Sequence, residues 1–245
     1  MEILKNYLSR IIGIVFFTIA FSLSTSVHAI YAVPVTINSI SASWTDVVGG
    51  ETNTGDSTVT GIGTQEVRWG MPAVNGGTKS GYRFDGFAPP ELNASVGEAF
   101  AIGEFTHFNQ PVVYSITAAT LNLSLDFTID GVSVVLGHDF NFLFDHEETT
   151  NACDTTLNPD CANDLVSLSD GVTTDSFIVN GIGYTLDLLG FTVDGITTSQ
   201  FSTVEGENNT ALLQAMVTAT SVPEPASLAL LGLGLAGFAF ARRRV

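Results

Sequence analysis

The chain has 245 residues, 45% of them hydrophobic and 13% charged, and a formal net charge of −17. Setting aside the acids and bases near the two ends leaves 23 acids against Arg68, Lys79 and Arg83, a body of charge −20. So acidic a body repels phosphate backbones and excludes nucleic acid as a partner, while its dispersed acids and plentiful apolar residues exclude a disordered acidic tail.

The first element is a leader. Lys5 and Arg10 supply a positive region, residues 11–21 an apolar run, and Val27-His28-Ala29 the small or medium residues that a signal peptidase reads. Residues 1–29 are therefore read as a signal peptide, cleaved after Ala29 with Ala32 as second choice, and the secretion translocon and signal peptidase are the implied partners. An uncleaved anchor is the competing reading, against which the apolar run is short.

Residues 30–220 form the exported body and read as all-β. Leu121, Leu123, Leu125, Phe127 and Ile129 alternate with Asn122, Ser124, Asp126 and Thr128, the period of a strand with one buried and one wet face. Asp130-Gly131 is a hairpin turn signal, Val132, Val134 and Leu136 open the return strand, and Phe140, Phe142 and Phe144 resume the period beyond Gly137. Further strands are expected at residues 33–44, 65–69, 99–108, 112–118, 176–180, 184–191, 201–205 and 211–219. Residues 49–63 read as a mobile glycine-rich loop and residues 71–81 as a second loop. Punctuation near every ten residues, with no Pro/Ser linker, points to a single β-sandwich or jelly-roll domain.

Cys153 and Cys161 are the only cysteines. Export places them in an oxidising compartment, so a disulfide closing a short polar loop is expected. Asp145, Glu147, Glu148, Asp154, Asp160, Asn163 and Asp164 crowd the same region and are weak candidates for calcium, which takes oxygen ligands, though their spacing matches no EF-hand. No cofactor is expected otherwise. Trp44, Trp69, Tyr82 and Tyr114 could stack on sugars if exposed; in a sandwich such residues are commonly core. Among 23 acids chance carboxylate pairs are unavoidable, so a glycosidase pair has no specific signal. Nucleophile-elbow and zinc-protease motifs are absent from the sequence, and catalysis is not expected.

The last element begins at Pro223-Glu224-Pro225, which ends regular structure. An uncharged apolar stretch at 226–241 follows, short for a membrane span, and then Arg242, Arg243 and Arg244, which stay cytoplasmic by the positive-inside rule. Residues 221–245 resemble the PEP-CTERM sorting signal. That resemblance implies an exosortase-type membrane protease that removes the tail, transient anchoring in the inner membrane with the body outside, and a final place at the cell surface or beyond it. It also implies a Gram-negative bacterium that makes exopolysaccharide.

Within the body, Gly103-Glu104-Phe105-Thr106-His107-Phe108-Asn109 resembles the THxN family of PEP-CTERM proteins through Thr106, His107 and Asn109. Arg68-Trp69-Gly70 and residues 80–84 extend the likeness over roughly residues 40–215. It carries no activity across. Thr106, His107 and Asn109 are read as fixing a strand end by hydrogen bonds, with ligand contact and general-base chemistry at His107 as alternatives. The sequence thus points first to a non-catalytic structural or adhesive matrix or biofilm component, second to an exopolysaccharide-binding module, and last to a glycan hydrolase.

Overall fold

The computed structural model describes residues 33–87, 92–150, 156–158, 160–169 and 177–220. The leader, the sorting tail with its apolar stretch, and Cys153 and Asp154 lie outside the described residues. Among the described residues the structure is all-β, as the alternation predicts, with no helix long and apolar enough to cross a membrane.

Fifteen strands follow in order: β1 (Pro34–Gly49), β2 (Glu66–Trp69), β3 (Met71–Pro72), β4 (Ser80–Gly86), β5 (Asn93–Ser95), β6 (Ala99–Phe108), β7 (Val112–Val113) and β8 (Ile116–Ile129), then β9 (Val132–Glu147), β10 (Asp164–Leu168), β11 (Phe177–Val179), β12 (Ile182–Val193), β13 (Ile196–Thr198), β14 (Gln200–Thr203) and β15 (Asn208–Thr220). One antiparallel sheet runs β14-β10-β9-β8-β1-β5 and the other β11-β12-β15-β6-β4-β2, with β13 beside β12 and β3 paired to β7. In β8 the five apolar positions 121 to 129 are buried and the polar ones between them half exposed, so its pleat sends one row inward. The Asp130-Gly131 turn has φ of 50° and 75°, the two left-handed residues of a tight hairpin.

Rings join the two sheets. Trp44 of β1 lies 5.3 Å from Tyr82 of β4. Phe144 of β9 stacks on Phe105 of β6 at 5.5 Å, and Phe105 also meets Phe191 of β12 at 5.2 Å. Each fully buried Phe contributes on the order of 1.5 to 3 kcal/mol by leaving water, and favourable ring pairs add about 0.5 to 1.5 kcal/mol.

Several expectations need correction. Residues 49–63 are tied to the body by hydrogen bonds: Trp44 and the 63–64 backbone exchange bonds of 2.8 and 2.7 Å, and Thr58 ties back to Gly50 through both its amide and its hydroxyl. The segment expected at 112–118 breaks at Tyr114, whose φ is 69°, leaving β7 and the start of β8. The loop expected at 71–81 instead holds β3 and opens β4, a strand hydrogen-bonded on both sides, to β2 and β6.

Candidate functional site

Alternation continues past the apolar rows and carries polar groups into the core. In β6, Phe105 faces in, and so does His107 two positions later; in β9 the inward row of Phe140, Phe142 and Phe144 is continued by His146. The two imidazoles meet edge to face at 5.2 Å, with Trp69 and Tyr82 against both. His107 is fully buried, and burial followed by the neighbouring His146 holds it well below its usual value, so it is neutral. Its Nδ1 lies 2.8 Å from Thr203 Oγ1, which donates to the Asp164 carbonyl at 3.2 Å. Tyr82 Oη lies 2.6 Å from His146 Nδ1, and burial first, then Asp164, raises the phenol further above its ordinary range.

Thr106 and Asn109 complete the segment. Thr106 is buried on the opposite face of β6 from His107, whereas Asn109, just past the strand, donates from Nδ2 to Thr203 O at 3.0 Å. Its backbone clamps the 204–207 turn, Asn109 N donating to Glu207 O at 3.0 Å and Gly206 N to Asn109 O at 2.9 Å.

Beside the imidazoles lie three carboxylates. Glu148 follows the end of β9, Asp164 opens β10 and Glu205 follows β14; each places a carboxylate oxygen within 4.8 Å of the others. His107, His146 and Asp164 form a second group within the same limit. Asp164 is fully buried, and Thr149 donates to its Oδ1 from the amide at 2.8 Å and the hydroxyl at 3.2 Å. Ser115 donates to Glu148 Oε2 at 2.7 Å, and His146 Nε2 lies 3.4 Å from the same oxygen. Burial, with Glu148 adding to it, pushes the Asp164 carboxyl up to about 6 against the pull of Thr149; burial, then Asp164 and Glu148, pushes Glu205 up to about 7. Glu148 Oε1, Asp164 Oδ2 and both oxygens of Glu205 are buried without a hydrogen-bond partner, as is Asn109 Oδ1.

Of the calcium candidates among the described residues, only Glu148 and Asp164 come together. Asp145 and Glu147 alternate outward on β9, where Asp145 accepts from Ser169, and Asp160 is exposed and held by Asn163 at 3.2 Å. His146, Thr203 and Glu205 escaped the sequence reading; the Phe140-Phe142-Phe144 period was the signal for His146, and Glu205 had none. Of the two readings of the large aromatics, core and sugar platform, the core reading holds for three. Trp44, Trp69 and Tyr82 are fully buried in the inter-sheet core, and Tyr114 alone of the four reaches the surface in part. Among the described residues no cysteine is free.

At the surface, a groove of about 650 Å³ is lined by Arg68, Lys79, Thr60, Thr78, Phe108 and Asn208 among others. Arg68 lies 3.5 Å over the Phe108 ring and pairs with Glu66 at 2.8 Å. No member of the buried polar cluster lines it.

Residues 221–244 match the family model described as the PEP-CTERM protein-sorting motif. The search of curated proteins returned no match. The matched motif supports an exported protein, transiently anchored at the membrane and processed by an exosortase.

Proposed function

We propose that the protein is a non-catalytic structural or adhesive component of the extracellular matrix, delivered by its leader and released by cleavage of its tail. The sorting motif at 221–244 carries this reading. The body's chemistry is in keeping with it. Ser80 and His107, 3.4 Å apart, are both fully buried, and Ser80 spends its proton on the Phe108 carbonyl at 2.9 Å, so that pair does not present a nucleophile to a substrate. The reading includes a Cys153–Cys161 disulfide and the THxN likeness as a strand-end clamp, in which Asn109 and His107 tie β6 to the turn after β14.

Intact mass and fractionation of the native protein test it. The expected species lacks residues 1–29 and everything beyond about residue 222, is lighter by two hydrogens than the dithiol, and is found at the surface or in the medium. A species that keeps Arg242, Arg243 and Arg244 in the inner membrane would overturn the sorting part. A deletion strain with unchanged matrix cohesion and surface attachment would overturn the structural part.

A second reading, exopolysaccharide binding, is favoured by the Arg68–Lys79 groove, where two of the body's three bases meet on an otherwise acidic domain. An acidic polysaccharide would be held there in a salt-dependent way. Lys79→Gln should weaken retention on the producer's own polysaccharide, and no retention of the unsubstituted protein would remove this reading.

A further inference from the structure

We propose that Glu148, Asp164 and Glu205 bind a hard divalent cation, with Ca²⁺ the ion that their donor set takes first. The inference goes beyond the matrix reading and does not rest on it.

The first argument is geometric. Two oxygens on one Ca²⁺ lie no more than about 5 Å apart, since each bond is roughly 2.3 to 2.6 Å. The three carboxylates each place an oxygen within 4.8 Å of the others, although they come from three separate stretches of chain. Chance clusters of acids are common on acidic surfaces, but here Asp164 is fully buried and Glu148 and Glu205 are half-buried beside it.

The second argument is a shortage of positive partners. Four carboxylate oxygens of the cluster are buried and accept nothing. Buried acceptors in a folded protein are almost always satisfied, and buried charges are paired or coordinate metals. The body has only three basic side chains to offer, and each is used elsewhere. Arg68 pairs with Glu66, Arg83 with Asp85, and Lys79 donates to Thr58 O. Among the described residues two imidazoles reach the cluster: His146, whose Nε2 stands 3.4 Å from Glu148 Oε2, and His107, which burial holds neutral. One imidazole does not balance three carboxylates.

The third argument concerns preorganisation. Ser115 and Thr149 grip one oxygen each of Glu148 and Asp164, as outer-shell donors do for metal-ligating carboxylates. The partner choice also selects the ion. Both His146 nitrogens already face partners, Tyr82 and Glu148, and both His107 nitrogens face Thr203 and Ser80, so the unpartnered atoms of the cluster are oxygens. Oxygen donors suit Ca²⁺ over Zn²⁺. Four carboxylate oxygens fall short of the six to eight that Ca²⁺ takes, and water would supply the rest. A bound ion would join the ends of β9 and β14 to the start of β10. It would also reach the THxN segment, because Asn109 clamps the turn that contains Glu205.

The test uses the exported protein, stripped with EDTA and titrated with Ca²⁺ by calorimetry while thermal unfolding is followed. Tb³⁺ serves as a luminescent substitute, excited through Trp69, whose ring lies 5.3 Å from His146. One ion per chain is expected, with Kd on the order of 10⁻⁴ to 10⁻³ M or tighter, together with a raised thermal midpoint. Glu205→Gln, isosteric and only half buried, should weaken binding at least about tenfold, whereas Glu147→Gln, exposed on β9, should leave it unchanged. Three results would overturn the proposal: no Ca²⁺ uptake and no thermal shift at about 10 mM; equal affinity in Glu205→Gln, which would put the ion elsewhere on the acidic surface; or Zn²⁺ preferred to Ca²⁺ and lost in His146→Gln. The unsubstituted protein's titration decides the first of these even if a variant fails to fold.

Discussion

Thr203 is a single hydroxyl on which three segments depend. It meets His107 Nδ1 at 2.8 Å, Asn109 Nδ2 at 3.4 Å and the Asp164 carbonyl at 3.2 Å, all out of water. Thr203→Val keeps the shape and strands those partners. The expected cost is about 1 to 3 kcal/mol, read as a lower urea midpoint at unchanged slope; a loss below about 0.5 kcal/mol would mean that the partners find other bonds. The acids nearby bear on pH. Their folded values stand above their ordinary ones, Asp164 at about 6 against 3.8 and Glu205 at about 7 against 4.5. Their contribution to stability is therefore present below pH 4 and lost as pH rises through 6 to 7. His107, held neutral, pulls the other way, since its contribution is fully present above its ordinary 6.5 and is lost as pH falls from there through its lower folded value. It is faced by Ser80 and Tyr82 from β4, His146 from β9, Asp164 from β10 and Thr203 from β14. The difference between Ca²⁺-loaded and stripped protein cancels most of that background. Because protons compete with the cation for the same carboxylates, the thermal shift produced by Ca²⁺ should be larger at pH 8 than at pH 5. Equal shifts would place the ion on groups with ordinary acidities.

At the scale of elements, the turns explain how much was legible. Asp130-Gly131, Asn180-Gly181 and Asp194-Gly195 share one geometry, a non-glycine residue at φ near 50° followed by glycine at 75° to 81°. The first stood out because strict alternation flanks it. The others join shorter or less regular strands, β11 to β12 and β12 to β13, where the same dipeptide carried less weight. β6 was readable to its last residue because Phe100 and Ile102, and then Phe105 and His107, alternate on either side of a register shift. β4 was not, although Ser80, Tyr82 and Phe84 all face inward, because Gly81 and the preceding Asn75-Gly76-Gly77 read as loop. Gly81 belongs there on steric grounds: a Cβ would lie 2.4 Å from the Val67 carbonyl of β2. Gly190, at a register shift in β12, makes the sharper test. Its φ is 136°, and a Cβ would fall 2.1 Å from Thr198 O on β13. Gly190→Ala should cost at least about 2 kcal/mol in denaturant unfolding, through strain and displacement of β13. Gly181→Ala, at a turn with nothing within 4 Å, should cost only about 1 kcal/mol. Similar losses at both sites would mean that β13 moves aside freely.

For the folded body as a whole, one core is shared between two sheets, and composition already required it. The −20 charge opposes compaction, so the apolar rows must bury enough surface to win. What the sequence did not disclose is which rows face each other, because alternation gives the face of a strand and not its partner across the core. Phe105 shows how tight that pairing is. From β6 it meets Trp44 at 6.1 Å, Phe144 at 5.5 Å and Phe201 at 6.2 Å on the opposite sheet, and Tyr82 at 5.0 Å and Phe191 at 5.2 Å within its own. Phe105→Ala would open a cavity among five rings, with an expected loss of about 3 to 5 kcal/mol. Trp44 and Trp69, the only tryptophans, sit in that core on β1 and β2, one strand in each sheet. If the sheets are held by the shared core, tryptophan fluorescence and far-ultraviolet circular dichroism should follow one urea transition in the unsubstituted protein. The same coincidence should hold in Phe105→Ala, at a lower midpoint. Two separated transitions in either protein would mean that each sheet holds on its own, and the aromatic contacts would then be packing between two modules rather than the basis of one.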